Sequence, residues 1–340
     1  MPILGRCLFG VLLVSLVVAG PARATFPGDN GRIAFHRFLE AEESLEIFTI
    51  RPDGFGARRV TTFGREVFSG WPDWSPDAKR LAYEVYRAPA AGPQIWTSDP
   101  DGSGPRQLTD SPGGAFDPAW APDGRTLAIE GAFEEQSGIY LIPARPRHGT
   151  LVTAAQARRV TRVTDGGSHS EPQFSPDGNW IVFTHFSPQC FTDDEETFKL
   201  CTTRILRVRS DGRKLQQLTD VARNASAPDF HPSGRWIAYD THDNFVAPNA
   251  GNIEIMRPDG SDKRAIIRGD NDDFFNNPSF SPDGRELSFA RWAADVPDSG
   301  PRIWVSRADG GNRRALAGSL EGDNKPDWGS DGRDHGHHGR

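Results

Sequence analysis

Cysteine, methionine and tyrosine are scarce in this chain of 340 residues, at three, two and four. No Gly-x-Ser-x-Gly pentapeptide occurs, which removes the usual nucleophile elbow of an α/β-hydrolase. No GxGxxG or GxxxxGK[ST] loop is present to cradle a phosphate, and no Cys–His or Ser–His–Asp arrangement stands out. Past the first two dozen residues, no apolar run is long enough to cross a bilayer, which takes about 20 residues. In contrast, 36 glycines and 27 prolines exceed the usual shares of about 7% and 5%. Nine tryptophans and 21 phenylalanines accompany them. Many turns between short apolar stretches predict an all-β chain.

The one long apolar run lies at the start. Arg6 precedes the stretch from Cys7 to Gly20, and Ala22-Arg23-Ala24 has the small-x-small form of a cleavage site. This predicts a secretory signal peptide over residues 1–24, cut before Thr25, and a periplasmic or secreted protein with no transmembrane segment after cleavage. Export leaves Cys190 and Cys201 in a compartment where disulfides persist, and a bridge between them would staple the acidic loop 191–200. Without Arg6 and Arg23, 37 of the 39 basic residues face 46 acids, a net charge of −9. Such a surface argues against nucleic acid or anionic lipid as partner.

One unit recurs along the chain. It opens as PDWSPDA at Pro72, PAWAPDG at Pro118, PQFSPDG at Pro172, PDFHPSG at Pro228 and PSFSPDG at Pro278, with PDWGSDG at Pro326. The steps are 46, 54, 56, 50 and 48 residues, the length of propeller blades. Each opening strand is followed by a second (81–85, 126–130, 181–185, 237–241, 287–291) and a third (94–98, 139–143, 205–209, 253–257, 303–307). A fourth segment then closes the unit (106–110, 159–165, 216–220, 264–268, 314–318). Ser-Pro-Asp-Gly reads as a type I turn followed by a left-handed residue, so Ala78, where the other units have Gly, is expected to be mildly strained. The aromatics Trp74, Trp120, Phe174, Phe230, Phe280 and Trp328 repeat at one position and are expected to pack between units. Segments 32–37, 46–50 and 58–63 make a first unit without its opening strand, and 325–330 is an opening strand without the rest. The last strand is therefore expected to complete the first unit and leave no free edge: six blades of four antiparallel strands.

This repeat resembles the PD40, or WD40-like, repeat of TolB-like β-propellers over essentially the whole mature chain. The resemblance implies a six-bladed propeller over residues 25–332, followed by a flexible His/Gly-rich tail at 333–340. TolB itself is a periplasmic part of the Tol–Pal system with an α/β domain ahead of its propeller. Here almost nothing separates the signal peptide from the first unit, so a stand-alone TolB-like propeller is expected. Oligogalacturonate lyases also resemble these propellers and use a metal held by His near the ring axis.

Function is read from the loops expected at one channel mouth. The loops between units carry Asp110, Asp117, His169, Glu171, Asp270, Asp272, Asp273, Glu321 and Asp323. The ends of the second strands carry His36, Glu84, Glu130, His185, Asp240 and His242. The ligand-binding candidates are His36, Glu84, Glu130, His169, Glu171, His185, Asp240 and His242. Phe38, Tyr86, Phe186, Phe245 and Trp292 would add an apolar patch if they share that face. The expectation is a non-catalytic, monomeric scaffold for a protein or carbohydrate partner, with no cofactor. The alternative is a metal-dependent polysaccharide lyase or hydrolase, with His169, His185 and His242 converging on a divalent cation beside Glu171.

Overall fold

The computed structural model describes residues 26–90, 92–133, 136–147, 149–191, 201–242, 251–269, 273–293 and 300–332. The expected signal peptide, the His-rich tail, Asp270, Asp272, Phe245 and the acidic loop at 192–200 lie outside them. Strands follow one another in four-stranded units. The first strands are β1 (Asn30–Leu39), β2 (Ser44–Ile50) and β3 (Arg58–Arg59). The second unit holds β4 (Val67–Trp74), β5 (Leu81–Arg87), β6 (Gln94–Ser98) and β7 (Arg106–Gln107). The third holds β8 (Ala115–Trp120), β9 (Thr126–Phe133), β10 (Gln136–Pro143) and β11 (Arg158–Arg159). The fourth holds β12 (Ser168–Phe174), β13 (Trp180–Phe186), β14 (Thr203–Arg209) and β15 (Gln216–Gln217). Next come β16 (Ala225–Phe230), β17 (Ile237–His242), β18 (Gly251–Met256) and β19 (Arg264–Ile267). The last full set is β20 (Asp273–Phe280), β21 (Glu286–Ala293), β22 (Arg302–Arg307) and β23 (Arg314–Ala315), and β24 (Asp323–Ser330) ends the chain's strands.

β24 pairs antiparallel with β1, joining Ile33 to Trp328 and Arg37 to Asp323. The Arg37 guanidinium grips both Asp323 oxygens at 2.6 and 2.8 Å across that seam. Single parallel bridges, Leu45 with Phe68 and Gly251 with Phe274, tie neighbouring units into two longer sheets.

The fourth strands are shorter than the sequence suggests, mostly two residues, for a reason in the Leu-Thr of the repeat. After two ladder residues a hydroxyl takes over the carbonyl's work. Thr61, Thr109, Thr161, Thr219 and Ser319 accept the N–H of Ile47, Ile95, Ile139, Ile205 and Ile303 at 2.8–2.9 Å. The fifth unit has no Thr there, and β19 runs for four residues. Ala78 does adopt a left-handed conformation, φ 52°, where the other units place Gly.

The core is divided among seams. Six apolar clusters each contain one of the six repeated aromatics and draw on consecutive units. Trp120, for instance, packs with Ile95 and Leu108 of the unit before and Leu127 of its own. Another cluster sets Ile303, Val305 and Leu316 against Ile33, Phe35 and Trp328, joining the last full unit to the first. Inter-unit packing is thus what these aromatics do.

Candidate functional site

Six inner strands, β4, β8, β12, β16, β20 and β24, line one cavity of about 90 Å³. Its geometry follows from the repeated proline. Proline has no N–H to give to the neighbouring strand, and each inner strand slips register around it. The residue before each proline absorbs the slip. Trp71, Asp117, Glu171, Ala227, Asn277 and Lys325 all lie at φ between 47° and 54°, and all border the cavity. Six non-glycine residues in the left-handed region concentrate backbone strain at one place, as functional sites often do.

Carboxylates hold those strained amides. Glu84 Oε2 accepts from Asp117 N at 3.3 Å, and Asp117 Oδ2 from Glu171 N at 3.0 Å. Glu171 Oε2 and Asp240 Oδ2 each take a backbone N–H at 2.8 Å, from Ala227 and Asn277. The Lys325 ammonium reaches from β24 to Glu171 Oε1 on β12 at 2.5 Å. Thr184 donates its hydroxyl to the other Glu171 oxygen at 2.8 Å. Two residues further along, a deeper set of acids links the units. Asp73 accepts the N–H of Trp120 at 2.7 Å, Asp229 that of Phe280 at 2.8 Å, and Asp327 that of Trp74 at 2.7 Å.

Burial raises the pKa of five acids in and around the cavity. Burial, then the charge of Asp117, pushes Glu130 up to about 8. Burial raises Asp117 to about 6 against the pull of Lys325, and raises Asp327 to about 6. Glu84 and Asp73 rise well above the carboxylate range, from burial first and then from Asp117 and Asp327 respectively. Burial works against the charge of Lys325, but Glu171 and Asp117 outweigh it and its pKa rises. His36, enclosed and near Lys325, drops to about 3 and is neutral at ordinary pH.

Of the sequence candidates, Glu84, Glu171 and Asp240 join this network directly, and Glu130 and His36 feel its charges. His36 packs 5.3 Å from Trp71. The remaining histidines sit in local pairs. His169 bonds Thr161 Oγ1 at 2.8 Å and meets His185 edge-on at 5.3 Å, while His185 Nε2 lies 3.0 Å from Asp165. His169 falls to about 4 through burial and His185 beside it; His185 is lowered by burial and Arg204. His242 stacks on Phe274 at 4.7 Å, its Nε2 3.2 Å from Asp240. Among the described residues no group of three or more His, Cys, Asp or Glu is placed to hold a metal ion. The cation the cavity does contain is Lys325, so the donor set does not fit a metal centre on the axis.

Sequence reasoning missed Trp71, Asn277 and Lys325, together with the deeper acids Asp73, Asp229 and Asp327. The signal was available: the first three, like Asp117 and Glu171, immediately precede a repeat proline. Cys190 and Cys201 are joined as a disulfide, the bridge expected between them. No helix among the described residues is long and apolar enough to cross a membrane.

The chain is 28% identical over 254 residues to an uncharacterized protein of Agrobacterium fabrum, covering 62% of this chain and 78% of that protein. It is 27% identical over 139 residues to the uncharacterized peptidase YuxL of Bacillus subtilis, 33% of this chain and about a fifth (21%) of that relative's length. TolB from Acinetobacter baumannii superposes with a TM-score of 0.66 at 20% identity, covering 90% of this chain and 69% of that one, which shows a shared fold. The TolB beta propeller domain family matches residues 29–330, the span of the repeats and their shared cavity, and the chain belongs to that family.

Proposed function

We propose that this chain is an exported six-bladed propeller, closed by β24 in the first blade, that binds a protein partner at the acidic mouth of its channel. The observation that carries this reading is the imbalance at the mouth: Glu171, Asp117 and Asp240 act together on the one ammonium that lines the cavity, Lys325. In a six-bladed ring β24 and β12 stand opposite one another, so the Lys325–Glu171 pair bars the axis and a partner is met at the rim. Phe38 and Trp292, near the ends of β1 and β21, are 44% and 38% exposed, and Phe68, also 38% exposed, lies tilted against Tyr86 at 6.4 Å. Exposed aromatics beside unbalanced acids suit a partner segment carrying lysine or arginine next to apolar residues. Cleavage of residues 1–24 would place the scaffold in the periplasm or outside the cell.

The test is a fluorescence-anisotropy titration with a Lys/Trp-rich decapeptide, its Glu/Trp counterpart and a neutral oligosaccharide. The cationic peptide should bind, tighter at low salt, and Trp292→Ala with Phe38→Ala should weaken it at least fivefold. Binding of the oligosaccharide alone would move the reading to a glycan scaffold. Equal binding of both peptides, indifferent to the two substitutions, would overturn it.

A further inference from the structure

The opposite end of the channel holds an occupant supplied by the chain itself. Past the deeper acids, the inner strands end on the repeated aromatics. There Trp74, Trp120, Phe174 and Trp328 form a cup floored by Asp73 and Asp327, and Phe26 lines the same space. Phe26 packs on the clusters of Trp120 and Phe174 while part of it stays exposed. It belongs to no strand. Residues 26–28 precede β1, and Gly28 donates its N–H to Pro282 at 3.3 Å.

A second, independent feature marks the cup as a place of recognition. Trp74, Trp120 and Trp328 are 4%, 2% and 3% exposed, and each carries a buried indole N–H with no acceptor among the described residues. A buried donor without a partner is uncommon and costly. The three tryptophans border one space beside carboxyls that accept, a surround that matches a group bringing an aromatic ring together with amide C=O and N–H. That is the chemistry of an aromatic residue on a peptide.

We propose that this cup is a binding site for an aromatic side chain on a short peptide segment, and that Phe26 fills it in cis. The expected cut before Thr25 would make Phe26 the second residue of the mature protein. An occupant on a free chain end can withdraw and be replaced by a phenylalanine, tyrosine or tryptophan of a partner. The cup shares Asp73, Gln173, Asp229 and Asp327 with the cavity above it but is lined by none of the acids at the mouth.

N-acetyl-phenylalanine amide is the probe, N-acetyl-alanine amide the control, and tryptophan fluorescence with two-dimensional NMR the readout. The protein used is the full mature chain. In Phe26→Ala the aromatic amide should bind saturably and at least tenfold tighter than in the wild type, and the alanine amide should not bind. Phe26→Leu, which keeps a smaller apolar filler, should lie between them and stands in if the alanine variant does not fold. Equal affinity in wild type and variant, or no saturable binding by a folded variant, would overturn the proposal. Glu130→Gln at the mouth should leave these affinities unchanged.

Discussion

Glu130 shows how a single side chain couples this site to pH. Its pKa is pushed up to about 8, whereas an unfolded chain loses that proton near 4.5. Between those values the folded state holds a proton that the unfolded state has released, so stability falls as pH rises through the window. One such group changes stability by roughly 1.4 kcal/mol per pH unit at most, less here because Glu130 is only partly buried. His36 acts from the other side. Held down to about 3, it stays neutral while an unfolded histidine takes a proton below about 6.5, so acid also destabilises. The wild type should therefore be most stable between about pH 5 and 6.5. Glu130→Gln should reduce the loss between pH 5 and 8 by about 2 kcal/mol, read from urea denaturation at each pH. An unchanged pH profile would mean that Glu130 does not carry the proton. The excess of acids was legible in the sequence, because strand ends and inter-unit loops are loaded with them. Their work was not. That Glu84, Asp117 and Asp240 serve left-handed backbone amides depends on register slips at the prolines, which composition does not reveal.

At the scale of the element, the repeat was readable because its turn chemistry is local. Pro, Asp and Gly set backbone angles within a few residues, and the second and third strands fall close to where the apolar runs place them. The fourth strand misleads for a physical reason: the apolar-polar run continues, but its Thr supplies an acceptor from the side chain and the backbone ladder stops. Thr109 is fully buried, accepts the Ile95 N–H at 2.9 Å and donates to Gln94 at 2.8 Å. Thr109→Val keeps the shape and removes both bonds, leaving a buried N–H unsatisfied. The expected loss is about 1–3 kcal/mol in chemical denaturation. Thr109→Ser, which keeps the hydroxyl, should recover most of it. If valine is as stable as threonine, the hydroxyl is not what ends these strands.

For the whole molecule, the question is whether the seam between chain ends is equal to the others. The sequence pointed to it through strand counting alone: a first unit short of one strand and a final strand short of a unit. The pairing of β24 with β1 and the cluster of Ile33, Phe35, Ile303, Val305 and Trp328 support closure by that strand. Stability offers a like-for-like measure, since Trp120 and Trp328 occupy the same place in their units at 2% and 3% exposure. Truncating a buried tryptophan to alanine costs about 3–5 kcal/mol where the surroundings are fixed, and less where they can fray. In a ring closed by β24, Trp328→Ala should lower stability as much as Trp120→Ala, within about 1 kcal/mol. Native-state hydrogen exchange should likewise show the amides of β24 opening only with the rest of the molecule. A cost for Trp328→Ala under half that for Trp120→Ala, with early exchange confined to β1 and β24, would describe an open ring whose ends merely touch. The bidentate Arg37–Asp323 pair crosses the same seam. Removing one partner while the seam stays closed, as in Arg37→Leu, would leave the Asp323 carboxylate buried and unpaired, at a cost of about 3–5 kcal/mol, whereas at a seam that opens water would take over the carboxylate and the cost would be smaller.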